Sequence, residues 1–130
     1  MRIAALIAAC ALIGCATSPP DVSRPAVGGL SYQGIETRLL DTDLVNFSLA
    51  VGGASSPADM RVYGDCAAAQ YALIRGYRFA RHVRTNIEET GPIWRADAVY
   101  TISADIPRGT QTLDAGLTVA ICQQAGVPTV

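Results

Sequence analysis

The sequence contains no lysine: all ten basic residues are arginine, set against eleven acidic ones for a net charge of −1. It has one histidine, one tryptophan and two phenylalanines, and 16% of its residues are charged while half are apolar. Without a clustered cationic excess it lacks the means to grip phosphates, which sets nucleic acid aside as a partner. One histidine and scattered carboxylates supply no three- or four-ligand metal site, so no metal is expected, and nothing calls for a cofactor. No apolar run reaches the roughly 20 residues that a spanning helix needs. Mean hydropathy is +0.27, whereas disorder requires low hydrophobicity and high net charge. A length of 130 residues suits one domain with a modest core.

What is present begins at the N-terminus. Arg2 precedes an apolar run, Ile3 to Ile13, and then Gly14-Cys15. One positive charge before a short apolar segment is the layout of a secretory signal peptide. The segment Leu12-Ile13-Gly14-Cys15 resembles the lipobox of bacterial lipoproteins. That resemblance implies that residues 1–14 are removed and that Cys15 carries lipid, attaching the chain to a membrane through its N-terminus. Ala16 stands where an aspartate would retain such a protein at the inner membrane. The implied address is therefore the outer membrane, facing the periplasm. Each buried acyl CH₂ contributes about 0.8 kcal/mol, and two or more chains anchor a protein stably. Residues 15–29 then form the lipidated cysteine and a flexible tether, in which Pro19, Pro20, Pro25 and Gly28-Gly29 prevent regular structure. Residues 30–130 form the folded domain.

Period two dominates that domain. Val45, Phe47, Leu49 and Val51 alternate with Asn46, Ser48 and Ala50, which predicts a half-buried strand over 44–52, with Glu36–Leu40 as its hairpin partner. Trp94, Ala96, Ala98, Tyr100, Ile102, Ala104 and Ile106 predict a long strand ending at Pro107. Tyr77–Asn86 predicts another, with Arg81 breaking its apolar side. Leu113, Ala115, Leu117, Val119 and Ile121 suggest a last strand. Between Ser55-Ser56-Pro57, a capping signal, and the stop at Gly76, the period turns helical, with Val62, Cys66, Ala69 and Leu73 as the stripe. The expected architecture is α+β: an antiparallel four- to five-stranded sheet with one helix packed on one face, in the order β-β-α-β-β-β. Tyr32, Glu36-Thr37-Arg38-Leu39 and Arg75-Gly76-Tyr77, in this order around a strand and a helix, resemble small uncharacterised envelope lipoproteins over about residues 30–85. The resemblance implies the fold and carries no activity.

No catalytic constellation stands out. A nucleophile needs an activating base beside it, and no serine sits in a Gly-x-Ser-x-Gly setting. Glu88-Glu89 before Gly91-Pro92 reads as a solvated hairpin loop rather than a glycosidase pair. Once Cys10 leaves and Cys15 is lipidated, Cys66 and Cys122 remain for an oxidising compartment. A bond between them would tie the helix to the last strand, although Cys122 falls on that strand's polar side. With a single helix covering one sheet face, alternation turns Asn46, Ser48, His82, Arg84, Arg95, Asp97, Thr101 and Ser103 outward. His82, Arg84, Arg95 and Asp97 are the candidate partner surface. The expected role is a non-enzymatic, membrane-anchored module that binds or supports an envelope protein or polymer. The alternative is a small periplasmic hydrolase of an envelope polymer using Asp97, Asp105 and His82.

Overall fold

A computed structural model describes residues 29–130, so the expected signal segment, Cys15 and most of the expected tether lie outside the described residues. Strands β1 (Ser31–Leu39) and β2 (Leu44–Gly52) form a hairpin, followed by helix α1 (Pro57–Ile74). A second hairpin joins β3 (Phe79–Thr90) to β4 (Ile93–Ser103), and a short β5 (Thr112–Asp114) leads directly into helix α2 (Ala115–Ala125). All neighbours in the sheet are antiparallel, in the order β1-β2-β4-β3-β5. The protein is an α+β fold with α1 across one face of a five-stranded sheet.

Alternation in β2 and β4 sets the core. Val45, Phe47 and Leu49 lie opposite Tyr100, Ala98 and Ala96 in register, and all six are buried. α1 lies over them on a face of small side chains, Ala67, Ala68, Ala69 and Ala72, with Met60 and Tyr63 filling the end. The expected stripe is rotated. Cys66 and Ala69 are buried, whereas Val62 and Leu73 are 48% and 40% exposed. Its start is capped by Asp59, whose carboxylate accepts the backbone N–H groups of Ser55 (2.9 Å) and Ser56 (3.1 Å). Those donors hold its pKa below the usual carboxylate value.

The last strand expected over 113–121 is a helix. Asp114 accepts the N–H of Leu117 at 2.9 Å as its N-cap, and Gly126 ends it at φ 71°. Helical spacing buries Ala115, Val119 and Cys122, while Leu117 and Ile121 are exposed. Period two and period 3.6 share several positions over so short a stretch, and the two caps decide between them. Cys122 therefore points inward rather than to the polar side of a strand. It bonds to Cys66, with Cα atoms 5.9 Å apart, joining α2 to α1.

Closing a separation of 56 residues removes chain entropy from the unfolded state. The Cys122→Ala variant should lose about 4 kcal/mol of unfolding free energy in denaturant titration. A change below about 1 kcal/mol would mean that packing alone holds α2 on α1.

Candidate binding site on the open sheet face

The face of the sheet away from α1 carries most of the expected surface. Arg95 and Asp97 alternate with the buried residues of β4, and Ser48 with those of β2, so all three point to this side. Arg84 joins them from β3 and donates to the Asp97 carboxylate at 3.2 Å. Asn46 is on this side too but is 8% exposed, and its amide reaches the Ala98 carbonyl at 3.5 Å. Thr101 and Ser103 complete the β4 side of the face.

His82 does not belong to this face. A β-bulge between His82 and Arg84 takes up Val83, so His82 pairs with Tyr100 and Arg84 with Val99. One extra residue inverts the alternation, and His82 turns to the helix side, its ring 5.2 Å from that of Tyr100. Arg81, before the bulge, pairs with Thr101 and lies on the open side. Asp105 follows β4 in an exposed loop. Asp97, Asp105 and His82, the hydrolytic candidates, therefore do not converge. Glu88 and Glu89 are strand residues of β3 rather than loop residues, and alternation sends them to opposite faces.

A trough of about 510 Å³ runs across β1, β2, β4 and β3 on the open face. Its floor is low because Gly34, Ser48 and Ala50 are small, and its sides carry Glu36, Glu88, Asn86, Arg95 and Asp97. Arg95 is exposed, lies opposite Glu88 in register, and makes no ion pair among the described residues. Its guanidinium keeps its fork of donors for an incoming carboxylate, hydroxyl or carbonyl. Chemically, the trough suits a hydrogen-bonding ligand of mixed charge.

A second polar cluster, beneath α1, has no counterpart in the sequence reading. Tyr100 donates to the Asp65 carboxylate at 2.6 Å, and Arg61 donates to the same oxygen at 2.9 Å. Burial, and then the Asp65 charge, push the Tyr100 phenol far above its ordinary value, so it remains a neutral donor. Arg61 also donates to Gln111 Oε1 at 3.0 Å. That oxygen only accepts, so His82 Nδ1, 2.9 Å away, carries the proton between them. His82 Nε2 sits 2.7 Å from the Thr85 hydroxyl. Both ring nitrogens are thus engaged, and the cluster ties helix, sheet and the segment before β5 together. Tyr100 reads as one more apolar-face residue in the sequence; Asp65, one turn after Arg61 on α1, was the available signal.

Residues 32–126 match the family model described as the YNQ4 C-terminal domain. The chain belongs to this family. No curated protein and no solved structure matches it. The matched span runs from β1 through α2, so in this YNQ4 C-terminal domain both the trough and the polar cluster lie within the family region. Among the described residues there is no group of three or more metal-ligating side chains, and no helix long and apolar enough to cross a membrane.

Replacing Tyr100 by Phe removes a neutral donor from a partly buried carboxylate. The variant should lose about 1–3 kcal/mol of stability in denaturant melts. A neutral result would place Asp65 in water instead.

Proposed function

We propose that this protein is a lipid-anchored component of the bacterial envelope whose folded body binds an envelope protein or polymer without catalysing a reaction. The observation that carries the binding half is the open-face trough, lined by Arg95, which makes no ion pair among the described residues. The anchoring half rests on the lipobox-like segment ending at Cys15 and on Ala16 after it, which together favour the outer membrane on its periplasmic side. The bond between Cys66 and Cys122 supports an oxidising compartment. A polar ligand fits the trough better than an apolar one, because charged side chains border it and the floor presents no large apolar side chain besides the flanking Leu49. Binding through such a surface is modest in strength and weakens with salt.

Cys15→Ser should abolish incorporation of a fatty-acid analogue and leave an uncleaved or soluble species; a variant that still labels and sediments with membranes would defeat the anchoring reading. For the trough, the double variant Arg84→Ala, Arg95→Ala alters exposed side chains and should change stability by no more than about 0.5 kcal/mol. In-cell crosslinking should show loss of the captured envelope partner with unchanged melting. An identical crosslinking pattern in the double variant would show that this face is bare surface.

A further inference from the structure

The outer margin of β1 carries a pattern that ligand binding in the trough does not explain. β1 ends the sheet, so its outward N–H and C=O groups have no ladder partner among the described residues. A bulge between Tyr32 and Gly34 closes the regular margin at one end, and the turn after Leu39 closes it at the other, leaving Ile35–Leu39. Within this stretch the side chains are poorly covered. Glu36 and Arg38 have side chains 71% and 69% exposed and meet each other along the strand at 3.4 Å, a solvated contact weak enough for a partner's charges to replace. Leu39 and the adjoining Leu40 are 41% and 49% exposed.

The stretch is complementary to itself. With a second copy antiparallel and Thr37 opposite Thr37, Glu36 meets the partner's Arg38 and Arg38 meets the partner's Glu36. Ile35 and Leu39 likewise face each other in both directions. Opposite charges, Thr–Thr and aliphatic pairs are the favourable cross-strand classes. Moving the centre by one residue, to Glu36 or Arg38, sets like charges opposite each other, so the sequence selects one register. Glu36 and Arg38 occupy the open side, while Ile35, Thr37 and Leu39 share the side of Leu49, Phe47 and Val45. A two-fold axis through Thr37 therefore keeps both helix layers on one side and both troughs on the other. Such pairing uses the same patch on each copy and closes on itself.

We propose that a second copy of this chain docks antiparallel along β1 about Thr37, joining the two sheets into one and placing the two troughs side by side across the junction. Gln33, Gly34 and Glu36 line the trough from β1, so the ligand surface of each copy borders that of the other. The opposite margin is less suited. On β3 the bulge at Val83 distorts the outer edge in its middle.

The test uses the full chain in cells, with Thr37→Cys introduced and a short bis-maleimide added before denaturing electrophoresis. Thr37→Cys should give a crosslinked dimer that the parent chain does not give. Adding Glu36→Arg should cause a several-fold drop in dimer, and the charge swap Glu36→Arg, Arg38→Glu should restore it. The restoring variant separates loss of pairing from loss of folding. Absence of dimer with Thr37→Cys, dimer through Asn86→Cys on β3 instead, dimer indifferent to Glu36→Arg, or failure of the swap to restore it would each overturn the proposal.

Discussion

The close approach of α1 to the sheet at Gly64 is the constraint on which the rest of the structure depends. A Cβ at that position would stand 2.9 Å from the Tyr100 hydroxyl and 3.4 Å from Leu49 Cδ1, so a larger residue would displace either the Tyr100 hydroxyl from Asp65 or the helix from the sheet. With Gly64 and the alanines that follow, Tyr100 can extend from β4 to the Asp65 carboxylate at 2.6 Å. The Arg61, Gln111 and His82 contacts build outward from that bond. Small side chains set the interlayer distance, and one buried phenol sets the register of helix on sheet. Dense packing of this kind tolerates little change in volume.

The rest of the helix layer follows from α1. α2 is short and contains no charged residue; it packs against α1, and the Cys66–Cys122 bond binds it there. An isolated helix of eleven residues is marginal in water, so both the caps at Asp114 and Gly126 and the covalent tie contribute to keeping it helical. Two helices on one side leave the other side of the sheet uncovered. The uncovered side is largely polar, with Val99 opposite Asn46 and Phe79 opposite Ser103 as buried apolar exceptions.

Two bulges shape what that open side offers. The one in β1, between Tyr32 and Gly34, brings Gln33 and Gly34 into the trough and ends the regular margin just before Ile35. The one in β3 inverts the strand beyond Val83. It separates His82, which supports the polar cluster under α1, from Arg84, which pairs with Asp97 on the opposite face. A single inserted residue thus assigns His82 and Arg84 to different tasks, one architectural and one at the surface.

The sequence by itself determined the class of fold, the two hairpins and the position of α1. The alternation in 44–52 and 94–102 and the capping signals around 55–76 are strong local patterns that tertiary packing had no reason to override. It also placed Arg95 and Asp97 away from α1, since the unbroken alternation of β4 carries a residue's face along the strand, and Arg84 lies on that side past the bulge in β3. Only the tertiary structure decided the fate of His82, because a bulge leaves no local signature in the residues around Val83 and its effect is to reverse parity. The conformation of 115–125 was open to either period, and there Asp114 and Gly126, together with burial of Ala115, Val119 and Cys122 against α1, selected the helix. Tyr100 could not be recognised as a polar keystone from its place on an apolar face. Its partner Asp65 is 35 residues away in the chain, and only the packing of α1 on the sheet brings the two within hydrogen-bonding reach.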